Sequence, residues 1–181
     1  MAAEFIRSLG NPSDCPRKKP TLMTHDDLWR FALDCYAQPG VEAACLDLQA
    51  AGADVCLLLA GAWLECRAVD CDETRLAQMK RISRDWRAQV VVPLRKLRQN
   101  WRQQALADSE LASLRTRLKK LELDAERVQL LRLQHASQPW PSCSQPAEWL
   151  ARLCAELDGD TREPVRVLRR AAAGQLAADG D

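Results

Sequence analysis

The sequence predicts an all-α protein: a compact helical module, then a long antiparallel helical hairpin, then a short C-terminal helical appendage. Three observations carry this. Ala, Leu and Arg dominate the 181 residues and Gln is common, and all four are good helix formers. Val and Ile are sparse, and no run of strand length alternates apolar with polar residues. From Leu28 onward apolar side chains recur at steps of three and four, the spacing that lines one face of a helix. Hydrophobic residues make up 47% of the chain, enough to bury a core.

Residues 1–21 hold Gly10, Asn11, Pro12, Pro16, Pro20 and the basic cluster Arg17-Lys18-Lys19, and read as a flexible leader. A helical domain over residues 22–136 follows. Thr24, with Asp27 three positions on, predicts a capped first helix from His25 to Ala37, with apolar contacts from Leu28, Phe31, Leu33 and Tyr36. Pro39-Gly40 breaks it. A second helix from Val41 to Ala51 puts Val41, Ala44, Cys45 and Leu48 on one side and stops at Gly52. Asp54 caps a third, from Val55 to Arg67, which is apolar nearly all round and so reads as central and surrounded.

Asp72 caps the fourth and longest helix. Its apolar residues Leu76, Met79, Ile82, Trp86, Val90, Leu94, Leu97 and Trp101 form one stripe through Pro93, which predicts a single helix kinked there. The fifth helix starts near Asp108, and Leu111, Leu114, Leu118, Leu121, Ala125 and Val128 follow heptad a/d spacing. These two helices form the hairpin, over residues 73–135, with its turn around Ala107-Asp108. In residues 137–181 a loop from Ser137 to Gln145 precedes a short helix from Pro146 to Leu157. Trp149, Leu150, Leu153 and Cys154 face inward from it, and a weakly anchored last helix runs from Pro164 to Leu176.

Charge is laid out unevenly. From Leu22 to Asp72 nine acids stand against two bases, and from Glu73 to His135 fifteen bases stand against seven acids. A formal net charge of +1 thus joins an acidic first half to a basic second half. On the fourth helix Lys80, Arg84, Arg87, Arg95, Arg98 and Arg102 fall within an arc of roughly 80° at 100° per residue. Such a face suits an acidic protein surface, or the phosphates of a nucleic acid.

The strings LWRFALDCYAQPGVEAACLDLQ, starting at Leu28, and GADVCLLL, starting at Gly52, resemble a proteobacterial family of small uncharacterised helical proteins. That family, a domain of unknown function, carries a pattern of the form LWxFALxxYxxPGVxxACLxLQxxGxDVxLLLxxxWL. The similarity continues through Trp86 and Val92-Pro93-Leu94-Arg95 and covers residues 23–135. The resemblance implies an all-helical fold and a bacterial cytoplasm, and it brings no activity or catalytic residue with it.

Catalytic and metal chemistry find little support in the residues. Cysteines stand at 15, 35, 45, 56, 66, 71, 143 and 154, with no Cys-x-x-Cys, so they read as core thiols; metal binding through them is the third-ranked function. Asp26-Asp27 and Asp70-x-Asp72 lie at helix starts, where capping accounts for them. Two histidines assemble no nucleophilic constellation, and the glycines are scattered singly. No metal, cofactor or catalytic residue is expected. Trp63, Trp86 and Trp101 read as core. Trp140, between Pro139 and Pro141, reads as partly exposed, either anchoring the C-terminal segment or marking a contact surface.

The sequence therefore predicts a non-enzymatic cytoplasmic adaptor or regulatory protein that docks an acidic protein surface through its basic helical face. The competing expectation is a nucleic-acid-associated, ribosome-linked protein using the same face. Self-association through the heptad seam stays open, and no segment has the length of a membrane span.

Overall fold

A computed structural model describes residues 27–144 and 147–178, and of residues 176–178 the backbone alone. The expected leader and the Thr24 cap lie outside the described residues. Among the described residues the chain is all-helical and has no strand; Val69 and Ser142 form an isolated antiparallel bridge.

The helices start where carboxylates can satisfy their free amides. Asp27 accepts from the Trp29 and Arg30 amides at the head of α1 (Leu28–Tyr36). Gly40, at φ +83°, supplies the left-handed turn into α2 (Val41–Ala50). Asp54 caps α3 (Val55–Cys66), Asp72 caps α4 (Glu73–Trp86), and Asp108 caps the long α6 (Ser109–Ser137). Between α4 and α6 lie a π turn (Arg87–Val91), α5 (Val92–Asn100) and a 3-10 turn (Gln104–Leu106). The chain closes with α7 (Trp149–Cys154) and α8 (Arg162–Ala178).

Helix α3 is the axle of the fold, as its all-round apolar sequence predicts. It packs against α1, α2, α4, α6, α7 and α8, and every side chain from Leu58 to Leu64 is buried. The C-terminal segment is no appendage. Trp149, Leu150 and Leu168 are fully buried in the same core as Leu28 and Trp63, and α8 lies along α2. A helix apolar on all sides needs cover on all sides, and α7 and α8 supply the last of it. Gly61 sets how closely α7 approaches: a Cβ there would stand 2.7 Å from Leu153 Cδ1 and 3.4 Å from Trp149 Cβ.

Polar contacts fix this seating. Trp149 Nε1 donates to the Val69 carbonyl at 2.7 Å, and Glu65 accepts from the Leu150 amide at 2.8 Å and from Arg169 Nε at 2.8 Å. Trp140 is half-buried and stacks on Trp149 at 5.8 Å between ring centroids, with the Arg75 guanidinium over its ring. It anchors the C-terminal segment within the molecule.

The hairpin runs antiparallel. Gln129 donates to Ser83 at 3.0 Å, Trp86 Nε1 to the Ala125 carbonyl at 2.9 Å, and Arg115 to the Arg98 carbonyl at 3.1 Å. The a/d seam of α6 splits: Leu118 and Ala125 turn inward, while Leu114, Leu121 and Val128 stay exposed.

The fourth helix is broken by a wide turn. Val92 N–H donates to the Arg87 carbonyl five residues back, and Pro93 has no N–H with which to continue a regular ladder. One extra residue in a turn rotates everything after it by about 100°. The expected stripe Val90, Leu94, Leu97, Trp101 therefore swings outward, leaving Leu97 exposed, and Val91, Arg95 and Arg98 take its place against α6.

Candidate docking groove

Six basic residues were expected on one exposed face, and the π turn divides them. Arg95 and Arg98 lie on the buried side of the turned segment. Arg98 is only 5% exposed and its Nε stands 2.5 Å from Glu122 Oε2. Arg95 bridges Glu122 at 2.8 Å and Glu126 at 2.6 Å. Both carboxylates come from the inner face of α6. These two arginines thus hold the hairpin together, because Glu122 and Glu126 have no other route to compensation once buried.

The buried ions shift one another. Burial pulls against the charge of Arg95, but its hydrogen bond to Glu122 and the charges of Glu126 and Glu122 outweigh it and hold the guanidinium above its ordinary value. Burial likewise works against Glu122, yet hydrogen bonds from Arg98 and Arg95 hold that carboxyl below its ordinary value. Glu126 goes the other way. Burial pushes its carboxyl up to about 7; Arg95 pulls it down, and Glu122 and Asp54 add to the rise. Beside this cluster Asp54 accepts from Ser83 and, at 2.6 Å, from Gln129, tying the cap of α3 to both arms of the hairpin. The cavity among Asp54, Cys56, Arg95 and Glu126 is about 20 Å³, about the room one water needs. The cluster is a joint, not a ligand site.

Lys80, Arg84 and Arg87 instead line an open groove of about 520 Å³ between the start of α3, the α4–π segment and α7. Its floor is apolar: Leu57, Leu58, Ala88, Val92, Leu153 and Leu157. Lys80 Nζ meets Glu156 at 3.2 Å and Arg84 Nε meets Asp85 at 3.1 Å, both at the solvent edge. Exposed pairs of this kind are worth about 0–1 kcal/mol and exchange readily for another acid. Arg87 is half-buried in the groove, and its guanidinium makes no hydrogen bond or ion pair among the described residues. Arg102 is exposed near the hairpin tip, apart from the groove.

A third of the groove floor, Leu153 and Leu157, lies far along the chain from α4. Leu153 was legible as inward-facing and Leu157 as the end of its helix; which helix they would meet was not. Cys35, Cys45 and Cys56 sit in the core, where burial pushes the first two thiols up to about 12 and the third well above its ordinary value. Among the described residues no three His, Cys, Asp or Glu side chains come together in a way that would hold a metal ion. No described helix is long and apolar enough to cross a membrane.

Comparison with known proteins gives one family. A family model described as "Protein of unknown function (DUF2390)" matches residues 27–133, more than half of the chain. No curated protein and no solved structure matches it. The family match stops short of α7, so it covers the basic wall of the groove and the α3 side of its floor but not Leu153 and Leu157.

Proposed function

The chain belongs to the DUF2390 family, whose function is unknown, and from its surfaces we propose that it is a non-enzymatic cytoplasmic adaptor that holds an acidic, amphipathic segment of a partner protein in the α3–α4–α7 groove. One observation carries the reading: Arg87, a cation with no ion pair among the described residues, stands in a groove with an apolar floor beside two further cations whose own pairs are weak. An amphipathic helix presents apolar anchors at three- and four-residue steps with acids along one flank, and both requirements are met here. The apolar floor would supply affinity, and Lys80, Arg84 and Arg87 would set register and partner choice.

Nucleic acid is the competing occupant. Of the six cations it would use, Arg95 and Arg98 face carboxylates inside the hairpin, which leaves a shorter and less continuous track for phosphates.

The experiment is affinity capture from bacterial lysate at moderate salt after nuclease treatment, followed by titration of the captured partner. The double variant Arg84→Gln/Arg87→Gln and the floor variant Val92→Asp should each weaken binding by about tenfold or more, since groove-centred groups dominate such contacts. Arg102→Gln, outside the groove, should leave binding unchanged. Partners indifferent to both groove variants sink the proposal, and partners released by nuclease favour nucleic acid.

A further inference from the structure

The outer face of α6 carries a row of apolar side chains that no described element covers. Leu114 is 46% exposed, Leu121 52% and Val128 36%. They are seven residues apart, so they stand in line along the helix. Half-buried Leu111 and Leu131 extend the line at its two ends. Along one flank of it stand Arg117 and Asp124, both exposed and neither in an ion pair among the described residues.

The order of these groups has a symmetry. Going out from Leu121 in either direction along this row and the flank beside it, one exposed charge is followed by one exposed apolar residue, Arg117 and Leu114 on one side, Asp124 and Val128 on the other. Reversing the direction keeps every apolar position and exchanges plus for minus. A surface of that kind complements a copy of itself related by a two-fold axis.

We infer that α6 is a homodimerisation face, on which a second copy of this chain packs antiparallel about Leu121. Leu121 meets its own copy at the axis, Leu114 of each chain meets Val128 of the other, and Arg117 of each chain meets Asp124 of the other. A parallel pairing would set Arg117 against Arg117 and Asp124 against Asp124, so the charges select the antiparallel arrangement. The seam is about four turns long and well short of the roughly 1,600 Å² of a standard interface, which makes the dimer concentration-dependent. None of its residues lines the groove, so it stands or falls independently of the adaptor reading.

Sedimentation equilibrium of the full chain tests this over about 1–500 μM, a range that brackets a weak dimer. A monomer–dimer equilibrium is expected. Arg117→Glu puts like charges together twice in each dimer and should weaken it about tenfold or more. Arg117→Glu/Asp124→Arg restores both pairs with the signs exchanged and should recover the original dissociation constant. All of these positions are exposed, and far-UV circular dichroism should be the same for each variant. A chain monomeric at every concentration overturns the inference, as does a dimer that Arg117→Glu leaves unmoved or that the double reversal fails to restore.

Discussion

At the scale of single residues the most consequential group is Glu126. Its folded carboxyl titrates near 7 against an ordinary 4.5, so between those values the folded chain holds a proton that the unfolded chain has released. Stability is therefore fullest below 4.5 and falls as pH rises through 7, by about 3 kcal/mol for a displacement of this size. Glu122, held low, contributes in the opposite sense and in a lower window: its share is present above its ordinary value and is lost only as pH falls through the folded one. Replacing Glu126 by Gln removes the first effect and keeps an acceptor for Arg95. Denaturant unfolding at pH 5 and at pH 8 should show the variant gaining about 3 kcal/mol on the wild type across that interval. Parallel curves would mean that Glu126 is ionised throughout.

The element that decides the hairpin is the π turn, and it joins two competing seams in one helix. Val90, Leu94, Leu97 and Trp101 are the apolar seam of a regular helix, while Val91, Arg95 and Arg98 are the seam actually buried. Hydrophobicity alone favours the first. The second wins because Glu122 and Glu126 on α6 need guanidinium partners, and because Pro93 weakens the regular ladder where the change of phase occurs. A π turn is an α-helix with one residue too many, so removing exposed Gln89 should leave a regular helix with Val91, Arg95 and Arg98 still facing α6. The deletion variant is expected to fold with a melting temperature within about 4 °C of the parent, a change of about 1 kcal/mol for a chain of this length. A molten or insoluble product would show that the π turn itself, and not the phase it sets, is required.

At the scale of the whole molecule the family match and the core do not coincide. The match ends at residue 133, yet Trp149, Leu150, Val165, Leu168 and Ala172 belong to the same buried cluster as Leu28, Leu48 and Trp63. A chain ending at residue 144 would expose the α3 surface around Gly61 and the inner side of α2, and would leave Glu65 without its Arg169 and Leu150 partners. That surface is too large and too apolar for a stable soluble core. The truncated chain should lose its near-ultraviolet dichroism and bind a hydrophobic dye at 25 °C while keeping most of its helix content. A cooperative melt with an unchanged near-ultraviolet spectrum would make α7 and α8 dispensable after all.

What is local could be read from the residues alone. Capping carboxylates at Asp54, Asp72 and Asp108, the glycine breaks at Gly40 and Gly52 and the three-and-four apolar spacing place the helices within a few residues of where they lie, because caps and periodicity act over a single turn. The all-round apolar character of α3 also announced its central place. Tertiary structure alone decided which seam of the fourth helix is buried, since one inserted residue changes phase without altering composition. It turned Arg95 and Arg98 from expected surface groups into internal ion pairs and left Lys80, Arg84 and Arg87 beside a floor completed by Leu153 and Leu157. It also drew α7 and α8 into the core, where a pairing between residues about ninety positions apart depends on which surfaces remain uncovered, a property of the packed chain and of no single segment.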